Sequence, residues 1–198
     1  PGYWKFKDTD GVKGITSDDK TVIGNATPDI IGGFINNFTF KGFDLSIGLN
    51  FQIGGDVYNA NKMYFTKMNN KNRNSLANAA ERFTYIDGTG ANVFKDPEKL
   101  AILNRNANYA SIEGSSNLAF HSGYVEDASF LRLNNVTFGY TFPKTWLKKA
   151  YISNLRVYAS AYNLFTITGY SGYDPEVNSA SSNPMTPGLD WGAYPKSR

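Results

Sequence analysis

The chain of 198 residues contains no cysteine and one histidine. Without cysteine there is no disulfide framework, thiolate nucleophile or thiolate-ligated metal. The lone His121 has no nucleophile or ligand set at a telling spacing, so it reads as a loop residue near a strand start. Also missing is any run approaching the roughly 18 apolar residues of a membrane-spanning helix, and mean hydropathy is −0.40. That excludes a helical membrane protein. It does not exclude a barrel, because half of every barrel strand is polar and averaged hydropathy does not register it. Excess charge of one sign is scarce too: 20 Lys and Arg against 17 Asp and Glu leave +3, dispersed along the chain. Nucleic acid is therefore not an expected partner. No glycine-rich loop stands before a helix as a phosphate cradle would.

Aromatic residues are abundant, with 14 Phe and 13 Tyr. Phe43, Leu45, Ile47, Leu49, Phe51 and Ile53 alternate without a miss with Asp44, Ser46, Gly48, Asn50, Gln52 and Gly54. On a strand this makes one apolar and one polar wall; at 3.6 residues per turn it would scatter the six around a helix. A polar row of Asp, Gln, Asn and Gly suits water better than a second packed layer. Apolar-out, polar-in strands of about ten residues mark a transmembrane β-barrel.

The same alternation, less clean, predicts spanning strands near 33–41, 43–54, 128–142 and 155–168. Lys41-Gly42 makes a tight turn between the first two. Leu131 and Leu133 sit out of phase with Val136, Phe138 and Tyr140, which suggests either a bulge near Asn134-Asn135 or a locally buried inner face. Residues 3–7 read as a short strand. Residues 57–68, 75–83 and 97–103 are helical candidates, the last with Asp96 as cap and Pro97 at the first position. Aromatics ring both short turns, at Phe40 and Phe43 and at Tyr140, Phe142 and Trp146; the second turn, 143–154, also carries Lys148 and Lys149. Such girdles mark a bilayer surface. They put the short turns on the periplasmic side and the long connections near 8–32, 55–123 and 169–198 on the extracellular side. Four strands cannot close a barrel, since the smallest use about eight, so the wall belongs to something larger.

Several runs resemble a known family: YVEDASFLRLNNVTFGYTFP (124–143), LRVYASAYNLFTIT (155–168), SGYDPEV (171–177), TVIGNATPDIIGGF (21–34), KGFDLSIGLNFQIGGDVYN (41–59) and GAYPKSR (192–198). Together, and in their order along the chain, they are similar to the C-terminal end of SusC/RagA-type TonB-dependent outer-membrane transporters. The resemblance implies an all-β fold: the C-terminal part of a plugged, antiparallel barrel of about 22 strands. In the family the plug lies N-terminal to this region, and TonB-ExbB-ExbD acts through that part. Import of oligosaccharides or peptides with a SusD-like surface lipoprotein as lid, in the bacterial outer membrane, follows from the resemblance. No enzyme activity or organic cofactor is implied. Read from the residues alone, a secreted soluble β-sandwich that binds carbohydrate stays open; it would bury the apolar face against a second sheet.

Three groups of side chains are candidate sites. Asp8, Asp10 and Asp19 fall at positions one, three and twelve of an EF-hand-like Ca²⁺ loop, with Ile15 at eight; position five is Val12 and position six Lys13, so a ligand and the turn glycine are lost. Arg156, Tyr158 and Tyr162 share the polar face of the last strand and could meet substrate or plug. Asp174-Pro175-Glu176, after Tyr170 and Tyr173, could touch substrate or lid, or form a stiff turn. Asp44, Glu113, Glu126, Asp127, Asp174 and Glu176 show no spacing that supports an acid/base pair.

Overall fold

The structure is a computed structural model that describes residues 1–69, 72, 74–114, 120–179 and 185–192. The chain divides into two compact units, one of residues 24–58 and 125–198, the other of residues 1–23 and 59–124.

The first unit is built on a four-stranded antiparallel sheet. Its strands are β1 (Ile30–Phe40), β2 (Phe43–Ile53), β5 (Phe130–Thr141) and β6 (Arg156–Thr168), in the order β1-β2-β5-β6. β1 starts three residues before the expected 33. Lys41 and Gly42 turn β1 into β2 with φ of 47° and 90°, both left-handed, as a two-residue hairpin requires. A Cβ on Gly42 would lie 2.7 Å from the Thr141 carbonyl oxygen, so glycine is needed there for space as well as for conformation.

Register explains how broken alternation still makes two clean faces. Phe43, Leu45 and Ile47 stand opposite Tyr140, Phe138 and Val136, and beyond a register shift Leu49 and Phe51 stand opposite Leu133 and Leu131. The shift skips Asn134. One extra residue on β5 returns the out-of-phase leucines to the apolar face, as a bulge does. β6 carries its own irregularity: Leu133 faces Phe165 and Asn135 faces Tyr162, with Asn163 in the left-handed region at φ 48°. β1 has no such device. It keeps strict pairing, which leaves Asn36 on the apolar face opposite Ile47 and Ile35 on the polar face opposite Gly48.

At the end away from the tight turns, β4 (Val125–Asp127), β3 (Asp56–Asn59) and β7 (Leu189–Asp190) form a small sheet in the order β4-β3-β7. Val57, Ala128 and Tyr170 make a small core there, with Val177 packed against it. The Ser129 hydroxyl accepts the Gly54 N–H at 2.9 Å, and the Ser129 carbonyl accepts the Thr168 hydroxyl at 2.8 Å. Three strand ends are thereby tied to one residue.

The second unit is mostly loop with short helices. α1 (Ala60–Thr66) starts on Asn59, whose side chain accepts the Lys62 N–H. α2 (Pro97–Leu103) starts on Asp96, which accepts the Lys99 N–H, in line with the cap and proline signals. The helix suggested at 57–68 is shorter because residues 57–59 pair as part of β3, and the one at 75–83 is a single 3-10 turn, Ala77–Glu81. Residues 3–7 are not a strand. Their alternation instead gives one sheltered side, on which Trp4 and Phe6 meet the rings of His121 and Tyr124.

Candidate functional site

The polar face of the four-stranded sheet carries an arginine near each end. At the tight-turn end, Arg156 leaves β6, passes over β5 and reaches Asp44 on β2; Nε donates to Oδ1 at 3.0 Å and a terminal nitrogen to Oδ2 at 2.5 Å. The crossing depends on Gly139, the residue opposite both Asp44 and Tyr158. A Cβ there would sit 2.7 Å from the guanidinium and from both Asp44 oxygens. The Arg156 guanidinium also lies 5.0 Å from the centre of the Tyr158 ring, within cation–π range. This clip is open to solvent, with 39% and 29% of the two side chains exposed.

At the other end Arg132 is enclosed, with 7% of its side chain exposed. Its Nε donates to the Thr166 hydroxyl at 3.1 Å, and its two terminal nitrogens donate to Asp174 at 2.7 Å and Glu176 at 2.5 Å. Phe130 packs 5.1 Å from the guanidinium carbon. Two further clasps hold the same returning segment. Glu126 accepts the Ser171 N–H and hydroxyl, both at 2.8 Å. The buried Tyr170 hydroxyl donates to the buried Asp190 at 2.5 Å, and burial pushes the Tyr170 phenol well above its ordinary pKa, with the Asp190 hydrogen bond adding to the rise.

Of the sequence candidates, Arg156, Tyr158 and Tyr162 stand on one face, facing Thr141, Gly139 and Asn135 across the ladder. Both tyrosines are largely exposed. Arg156 is not a free cation offered to a ligand, because Asp44 holds it. Asp174 and Glu176, set down as a contact for substrate or lid or as a stiff turn, close on Arg132. Sequence reasoning missed Arg132. The signal was present: the suggested bulge at Asn134 moves Leu131 and Leu133 to the apolar face, and the residue between them must then turn to the polar one.

Asp8, Asp10 and Asp19 do converge, with a carboxylate oxygen from each lying within 4.8 Å of the others. Local amides already occupy much of this cluster. Asp8 accepts the Gly11 N–H and Asp10 the Val12 N–H. Asp19 accepts from the amides of Thr16 and Thr9, both at 2.7 Å. Those amide donors hold the Asp19 carboxyl below its usual range. Three carboxylates fall short of the six to eight oxygens that Ca²⁺ takes, so any cation there would draw its other ligands from backbone or water.

His121 stacks 4.5 Å from Trp4 and 4.7 Å from Tyr124, and its Nδ1 accepts the Gly123 N–H. Burial in this ring cluster lowers its pKa and favours neutral imidazole. Among the other carboxylates, Asp127 accepts the Ser129 N–H, and Glu113 is exposed.

An antiparallel wall with one apolar face and one face carrying ion pairs is of the transmembrane β-barrel type. Solved structures bear out that fold: the RagAB peptide transporter matches 92% of this chain with a TM-score of 0.68 at 24% identity, and the RagAB importer in its closed-closed state matches 93% at 0.58 and 22%. Each match covers under a fifth of the solved chain, 17% and 18%. In sequence, TonB-dependent receptor P3 of Formosa agariphila is 31% identical over the whole of this chain, receptor P39 of the same organism 34% over 96%, and TonB-dependent receptor SusC of Bacteroides thetaiotaomicron 29% over 96%. The chain belongs to the SusC/RagA-type TonB-dependent receptors, and it spans 16–18% of the length of those three relatives. No family model matches it.

Proposed function

We propose that this chain forms part of the wall and rim of an outer-membrane importer of oligosaccharides or peptides, working with a SusD-like surface lipoprotein. The observation that carries the reading is the outer face of the sheet. Phe34, Phe38, Phe43, Phe138, Phe165 and Ile167 share it, and each is between 46% and 61% exposed. A soluble sandwich would cover such a wall with a second sheet; lipid covers it in a barrel. Strand lengths of 11 to 13 residues fit as well. At about 3.3 Å per residue and a tilt near 40°, the shorter strands span about 25 Å, the height of a barrel's apolar band.

The two outer strands, β1 and β6, would pair with neighbours in a plugged barrel of about 22 strands. Tyr158, Tyr162 and the Arg156–Asp44 clip then face the lumen, where plug or passing substrate would meet them. The long connections form the extracellular rim. Within that rim the segment from Tyr170 to Glu176 is a fixed post, held by the Arg132, Glu126 and Asp190 clasps. TonB-ExbB-ExbD acts through the plug part of the whole receptor, and the work is transport rather than catalysis.

Fractionation of the whole protein tests the reading. It should stay with membranes after alkaline washing, leave them only with detergent, and bring a surface lipoprotein with it on purification. Recovery in the aqueous phase without detergent sinks the importer and favours the carbohydrate-binding sandwich. Mass spectrometry of small molecules released from the purified complex then separates glycan from peptide.

A further inference from the structure

We propose that the tight-turn end of the wall is a docking surface for anionic phospholipid headgroups. The proposal rests on the barrel reading, which sets the short turns at one membrane surface. Beyond β5, Pro143 ends the ladder. α3 (Lys144–Leu147) then runs into a 3-10 turn, Lys148–Ala150, which Tyr151 closes in the left-handed region at φ 53°. Leu147 is buried and anchors this foot. Around it the foot is open: Trp146 is 65% exposed and Tyr151 98%, and Lys144, Lys148 and Lys149 are exposed beside them. The neighbouring hairpin adds Lys41, whose ammonium lies 5.2 Å from the centre of the Phe40 ring.

Charge decides the occupant. Residues 140–155 contain no Asp or Glu, and Asp44, at the same end of the sheet, is held by Arg156. The foot therefore presents four ammonium groups with two exposed amphipathic rings, placed where the apolar stripe ends on Phe40, Phe43 and Tyr140. Trp and Tyr settle at headgroup depth, and lysine stems lie along apolar surface while their heads reach outward. A phosphodiester with net negative charge matches that layout. A zwitterionic headgroup offers no net charge to it.

Native mass spectrometry of the whole transporter, titrated with phosphatidylglycerol or phosphatidylcholine, tests this. Wild type should retain phosphatidylglycerol in preference. Replacing Lys144, Lys148 and Lys149 together by Gln should weaken that retention by up to about five-fold per lysine, while the three Lys→Arg replacements keep it. Inorganic phosphate should not displace the lipid. Equal retention by wild type and the Gln variant overturns the proposal, as does displacement by phosphate. If detergent-free wild type stays soluble, the barrel reading falls and takes this one with it; if it inserts without headgroup preference, only this one falls.

Discussion

The two arginines of the polar face make the same chemical pairing in opposite surroundings. Arg156 meets one carboxylate, Asp44, in the open, across a gap that Gly139 leaves. Arg132 meets two, under Phe130 and against Thr166; Arg132 and Asp174 are almost out of water at 7% and 12% exposed, while Glu176 closes the group from the open side at 36%. Exposed pairs are screened and contribute little. Enclosed pairs are costly to assemble and costlier to break, because a lost partner leaves a buried charge unanswered. The difference separates them: the Arg132 group fixes a loop against the wall, and the Arg156 clip lies on an exposed polar surface where solvent competes for it.

Breaking the enclosed end should give the largest effect. Arg132→Gln in the whole receptor should cost about 3–5 kcal/mol, and hydrogen exchange should show residues 170–177 losing protection. Unchanged exchange there would mean the loop is held by other contacts. Whether the polar face is wet at all is the next largest test, using two neighbours midway between the arginines. Ile47→Arg should cost about 2–4 kcal/mol on a lipid-facing side, read as a loss of unfolding midpoint in detergent, while Ser46→Arg should be mild. Similar losses at both positions would erase the distinction between the faces.

The exposed end should yield less. Asp44→Asn should leave the midpoint close to wild type, and Gly139→Val should do more harm, since its side chain must push Arg156 and Asp44 apart. The reverse order would show the clip to be stronger than its exposure allows. The smallest expected effect lies in the other unit. The Asp19 carboxylate titrates below its ordinary 3.8 because backbone amides hold its charged form. Its contribution is present above about pH 3.8 and fades as pH falls through the lower folded value. Exchange at the Thr9 and Thr16 amides should therefore quicken only in strong acid, and Asp19→Asn should remove that pH dependence.

Much of the wall was legible because alternation is a direct reading of which face of a strand is apolar. The β2 strand and its Lys41-Gly42 turn needed nothing else, and the bulge showed as a phase slip before any pairing was known. The clasps were less legible. Arg132 meets Asp174 and Glu176 across more than 40 residues, and no local period encodes such a meeting. Residues 3–7 misled for a related reason: alternation reports one sheltered side, and a ring cluster shelters a segment as well as a ladder does. The three aspartates were legible as a cluster because the turn chemistry joining them is local.

Asn134 and Asn163 have a consequence beyond register. Between paired positions β5 carries Asn134 and β6 carries Asn163 and Leu164, at about the same height on adjacent strands, so they act together as a crease across the wall. Bulged strands bend and twist more strongly, and a flat sheet cannot curl around a wide lumen. The crease also works as a parity switch. Deleting Asn134 alone would leave the tight-turn half of β5 in place and reverse the other half, turning Leu131 and Leu133 to the polar face and aiming the Arg132 charge at the apolar one.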